Sequence, residues 1–84
     1  MYKIEFLASA AKDFRSLSAE TKRRVAVVID GLRDDPRPSG VRKLVGYKRL
    51  YRVRVGQYRV VYQIDDKTQQ IFVTRVRHRR EVYR

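Results

Sequence analysis

The sequence contains no cysteine, which removes disulfides and thiolate metal sites and makes a reducing cytosol the natural compartment. It has no uninterrupted run of roughly 18 apolar residues, the length a membrane-spanning helix needs. The opening Met1-Tyr2-Lys3-Ile4-Glu5-Phe6 lacks the apolar stretch of a signal peptide. A soluble, cytoplasmic protein with no membrane partner is expected. There is one histidine, His78, and no clustered set of carboxylates, so the usual ligands of a metal-dependent nuclease are missing. A glycine-rich phosphate loop and a nucleophile elbow are missing too. No cofactor is expected.

Acidic residues are also scarce: 21 Lys+Arg stand against 9 Asp+Glu, a formal net charge of +12 on 84 residues. Such an excess repels itself and attracts polyanions, so RNA, DNA, the ribosome or an acidic protein are the expected partners. From Val41 through Ile64 there is no acid, while Arg42, Lys43, Lys48, Arg49, Arg52, Arg54 and Arg59 are basic. Near the C-terminus, Arg75, Arg77, Arg79, Arg80 and Arg84 face only Glu81. A chain this short builds one thin core, so residues 1–84 read as a single domain.

Tyr2, Ile4 and Phe6 alternate with charged residues, the period of a half-buried strand. Ser9 is positioned to cap a helix carrying Ala10, Phe14 and Leu17, and Ser18 to cap a second one with the stripe Val25, Val28, Ile29 and Leu32. Asp34-Asp35-Pro36 ends that helical hairpin, and 36–40 reads as a loop. Strands follow: Tyr51 to Val55, a Gly56-Gln57 turn, Tyr58 to Ile64, then Ile71 to Val76. The expected fold is α+β: an N-terminal strand, a two-helix hairpin, then an antiparallel three-strand meander with the helices on one face.

A two-residue turn at Gly56-Gln57 pairs Val55 with Tyr58, Arg54 with Arg59, Val53 with Val60 and Tyr51 with Tyr62. Tyr51, Val53, Val55, Tyr58, Val60, Tyr62 and Ile64 then face the core, and Arg52, Arg54 and Arg59 project together from the other side. Like charges on a cross-strand pair repel, and a bound phosphate would relieve them, since guanidinium is a planar, permanently charged fork. The alternative is that the side chains splay into solvent at little cost. His78 is the one side chain suited to proton transfer near neutral pH without a large shift, although a lone histidine is as readily structural. Tyr83 suits stacking on a base or packing. Any RNA cleavage by such a set would be metal-free attack of a 2′-hydroxyl on the adjacent phosphate, with arginines stabilising the developing charge.

The spacing of Lys43-Leu44-Val45-Gly46, of Tyr51-Arg52-Val53-Arg54-Val55-Gly56-Gln57-Tyr58-Arg59-Val60-Val61-Tyr62, and of His78-Arg79-Arg80-Glu81-Val82-Tyr83 resembles the RelE family within the RelE/ParE toxin superfamily. The resemblance implies a ribosome-dependent endoribonuclease, an mRNA interferase that enters the ribosomal A site, cuts the bound mRNA and so inhibits translation. It implies catalytic roles for Arg59, Arg79 and Tyr83, with His78 as the candidate for proton transfer. RNA-binding roles fall to Arg52, Arg54, Lys43 and Arg77. Lysines commonly stand in the family where this chain has Arg52 and Arg54, and arginine cannot serve as the base. Glycine commonly stands at the position of Arg77. A cognate acidic antitoxin is the implied partner, with DNA contacted only through the toxin–antitoxin complex. Two alternatives are a ParE-like inhibitor of DNA gyrase without RNase activity and a basic nucleic-acid-binding domain without chemistry.

Overall fold

The computed structural model of the chain describes residues 1–44, 46–47 and 49–78. Its elements are β1 (Lys3–Phe6), α1 (Ala8–Arg15), α2 (Ala19–Gly31), β2 (Arg42–Lys43), β3 (Leu50–Val55), β4 (Tyr58–Asp65) and β5 (Gln70–His78). This is the expected α+β arrangement, with the meander β3-β4-β5 extended at both edges into a five-stranded sheet ordered β1-β5-β4-β3-β2. β1 runs parallel to β5, and the other pairs are antiparallel.

Ser18 caps α2 as its position suggests, its hydroxyl accepting from the Thr21 backbone N–H at 3.2 Å. Ser9 does not cap α1, whose N-cap is Leu7. The reason lies in β1: the Leu7 N–H still donates to the Val73 carbonyl at 2.9 Å, so the chain passes directly from strand into helix. Ser9, already inside the first turn, donates its hydroxyl to the Thr74 carbonyl instead.

Val25, Ile29 and Leu32 of the α2 stripe are buried with Ala10 and Leu17 against Val53, Val55, Val60, Tyr62, Ile64, Ile71, Val73 and Val76. Tyr62 is completely buried, and its hydroxyl donates to the Pro36 carbonyl at 2.8 Å. Burial pushes its ionisation above the ordinary tyrosine range. That bond ties the loop after α2 to the sheet, as does Arg37, which donates to Asp66 at 2.9 Å and lies 5.1 Å from the centre of the Tyr51 ring.

The β3–β4 register is the one the Gly56-Gln57 turn dictates, Val55 opposite Tyr58 and Arg54 opposite Arg59. Gly56 sits at φ +60°, a conformation glycine adopts without a Cβ penalty. The β4–β5 pairing is less regular. Val61 stands opposite Arg75 but Tyr62 opposite Val73, so Thr74 is an inserted residue, a β-bulge, and the alternation of β5 reverses across it.

Candidate nucleic-acid interface

One face of the sheet carries the helices. Residues directly opposite one another in a ladder share a face, which places Arg42 with Arg52, and Arg54 with Arg59 and Arg77, on the side away from the helical layer. Arg54, Arg59 and Arg77 thus form a row across β3, β4 and β5, with Arg52 and Arg42 in the adjoining row. Arg42, Arg52, Arg54 and Arg59 line one cleft of about 380 Å³, together with Ser39, Gly40 and Val53. No acidic side chain lines it among the described residues.

The arginines are held by their strands rather than by loops. Val53 and Val55 on one side and Val60 on the other are buried, so the alternate positions Arg52, Arg54 and Arg59 have one direction available to them. Arg54 is exposed, while Arg52, Arg59 and Arg77 are half-buried, and Val61, opposite Arg52 in register, is buried on the same face. Such a surface offers several permanently charged, bidentate donors at strand spacing to an anionic backbone.

The candidates named from the sequence do not all meet there. Arg52, Arg54 and Arg59 do, and Arg77 stands beside Arg59 in register while also bordering the cleft between α1 and the end of β5. Lys43 stands opposite Tyr51 and so belongs in register to the helix-covered face. Arg42 takes the place expected for it, a residue whose side could not be read from a strand only two residues long. His78 stands opposite Tyr58, with the rings edge-to-face at 5.5 Å. It too faces the helical side, separated from the arginine rows by the sheet. Arg79 and Tyr83 lie outside the described residues. Among the described residues no three His, Asp or Glu side chains gather as a metal site would require, and no helix is long and apolar enough to cross a membrane.

A second surface lies on the helical side. Ile4, Phe6, Ala11, Phe14, Ala26 and Ile29 line a groove of about 400 Å³ between β1 and the two helices, with Arg15, Asp30 and Arg33 at its margin. Phe6, Leu7 and Val27 are exposed apolar residues.

Comparison with known proteins gives a consistent picture. The family model of ParE toxins of type II toxin–antitoxin systems, parDE, matches residues 4–83. Toxin RelE3 of Methanocaldococcus jannaschii is 27% identical over 85 residues, covering 96% of this chain and 94% of that protein. The toxin in the archaeal RelE–RelB complex of Pyrococcus horikoshii superimposes with a TM-score of 0.83 at 30% identity, covering 96% of this chain and 98% of that one. The isolated RelE toxin of E. coli gives 0.83 at 29% identity, covering 99% and 92%.

Proposed function

The chain belongs to the ParE toxin family of type II toxin–antitoxin systems, within the RelE/ParE superfamily, and from that premise we propose that it is a ribosome-dependent endoribonuclease. It cuts mRNA in the ribosomal A site by attack of a 2′-hydroxyl on the neighbouring phosphate, without a metal, and so stops translation. The observation that carries this reading is the joint placement of Arg42, Arg52, Arg54, Arg59 and Arg77 on the sheet face opposite the helices.

In this reading Arg42, Arg52 and Arg54 hold the phosphates flanking the cut, and Arg59 stabilises the charge that grows on the phosphorane, a contribution of preorganised electrostatics. Arg77 extends the row toward the tail. Arg79 joins Arg59 at the transition state, and Tyr83 stacks on or aligns the nucleotide. Because His78 faces Tyr58 on the helical side, we assign it to packing rather than to proton transfer. Cleavage by this route leaves a 2′,3′-cyclic phosphate or 3′-phosphate and a 5′-hydroxyl.

A cognate antitoxin completes the system. The apolar groove beside α1 and α2 suits an amphipathic segment, and acidic residues in the same antitoxin would neutralise the arginine face. Folding of such a segment on binding fits a surface this long and this charged.

The ParE family match also supports a second reading, inhibition of DNA gyrase by the same fold without RNase activity. Purified protein added to ribosomes programmed with a defined mRNA, with free mRNA and a gyrase supercoiling assay in parallel, separates the two. Cuts confined to the A-site codon of ribosome-bound mRNA, lost in Arg59→Ala, support the RNase; intact mRNA with inhibited gyrase would transfer the protein to the second reading.

A further inference from the structure

We propose that Asp13 is a positioning residue of this site: its carboxylate holds the bulged part of β5 and thereby sets Arg77 across from Arg59. The proposal rests on the reading of the arginine face as the RNA site.

The alternation that buries Ile71 and Val73, continued without interruption, would send Arg75 and Arg77 into the helix-covered core and turn Val76 outward. Insertion of Thr74 reverses this, so that Val76 is buried and Arg77 stands opposite Arg59. A bulge leaves backbone groups without ladder partners, and β1 offers none here, because its pairing with β5 ends at Phe6 and Val73. Helix α1 takes the strand's place. The Ser9 hydroxyl donates to the Thr74 carbonyl at 2.8 Å, and four residues on, one face of the same helix presents Asp13. Asp13 Oδ2 accepts from the Val76 backbone N–H at 3.0 Å, while the carboxylate accepts from Arg75 Nε at 3.0 Å and Nη2 at 3.3 Å. On the other side of β5, the Thr74 hydroxyl donates to the Val61 carbonyl at 3.1 Å.

Three features set Asp13 apart from an incidental surface acid. It stands in the last turn of α1, beside Lys12 and Arg15, where the helix dipole disfavours a negative charge. Its side chain is only 14% exposed, against 77% and 56% for the acids of the other two ion pairs described, Asp30 and Asp66. It also draws the Arg75 guanidinium to itself, although the register of Arg75 opposite Val61 assigns that residue to the arginine face.

The test compares wild type with Asp13→Ala and Asp13→Asn by amide hydrogen exchange and by single-turnover cleavage of ribosome-bound mRNA. In Asp13→Ala, exchange at Val76, Arg77 and His78 should quicken by about tenfold or more while Val53 and Val60 keep their protection. The cleavage rate constant should fall by about tenfold with KM little changed. Asparagine keeps an oxygen for the Val76 N–H and should restore both to within about threefold. In an Arg77→Ala background Asp13→Ala should cost little further activity, since the two act through one path. Unchanged exchange at 76–78, a uniform rise across the sheet, or additive losses in the double variant would overturn the proposal. A wild-type protein that leaves ribosome-bound mRNA intact would instead sink the RNA-site reading, and the exchange comparison would still decide whether Asp13 holds the bulge.

Discussion

Arg54, Arg59 and Arg77 stand side by side across three strands, an arrangement that folding alone does not favour, because like charges directly opposite repel. The burial of Val53, Val55 and Val60 forces it for Arg54 and Arg59, and the bulge at Thr74 with the burial of Val76 brings Arg77 beside them. Removing one of the charges should therefore damage the site. For Arg59→Ala the expected outcome is a loss of about 10²–10³ in the cleavage rate constant, the scale of removing one donor to a developing oxyanion. Thermal unfolding of the same variant separates a loss of chemistry from a loss of fold. A large drop in stability would mean that Arg59 is a structural residue and that the lost activity says nothing about chemistry. A second residue-scale expectation concerns acid. The hydrogen bonds from Arg37, and then from Tyr2 at 2.6 Å, hold the Asp66 carboxyl below the usual aspartate range. A depressed folded-state value stabilises the fold above the unfolded value of about 3.9, and that contribution is lost as pH falls through the folded value. Asp66→Asn should lower stability modestly in the neutral range and flatten its decline below about pH 4, so that the two proteins converge in acid; urea midpoints from pH 2 to pH 7 would show it.

Among the elements, the β3–β4 hairpin was fully legible from the sequence, because a two-residue turn with glycine first leaves one register, and register assigns every face. The same logic failed one strand later. Ile71-Phe72-Val73-Thr74-Arg75-Val76 reads as a strand, but nothing local announces that Thr74 is an inserted residue, and the side chains that support it, Ser9 and Asp13, lie 65 and 63 residues from the groups they bind. β2 was missed because two residues carry no period, and with it went the assignment of Lys43 rather than Arg42 to the cationic face. Ser9 satisfied the composition of a helix cap and was displaced by the pairing of Leu7 with β5. Turn geometry can be tested at Gly56, where a Cβ would meet Arg24 Nη2 at 3.2 Å and φ is +60°. Gly56→Ala should lower stability by about 1–2 kcal/mol, the cost of a left-handed backbone with a side chain. It should weaken RNA binding as well if the hairpin is what aligns Arg54 with Arg59. Denaturant unfolding and filter binding to single-stranded RNA measure the two effects on one preparation.

At the scale of the whole molecule, a net charge of +12 makes association with polyanions strong and salt-dependent, each phosphate contact on a single strand contributing about 0.7 to the slope of log K against log salt. Arg54→Ala, at an exposed position on the face, should reduce that slope by about one such contact. An equally charged change on the helical layer, such as Arg23→Ala, should leave it nearly unaltered. In the proposed function the two faces divide the labour: the helices and groove would offer apolar surface to a protein partner, and the sheet would offer cations to nucleic acid. The most direct test is single-turnover cleavage on ribosomes carrying either an all-ribose mRNA or the same mRNA with a single 2′-deoxynucleotide on the 5′ side of the scissile phosphate. The account predicts that the ribose mRNA is cut in the A site to a cyclic or 3′-phosphate end and that the deoxy-substituted mRNA survives; equal cleavage of both would contradict it.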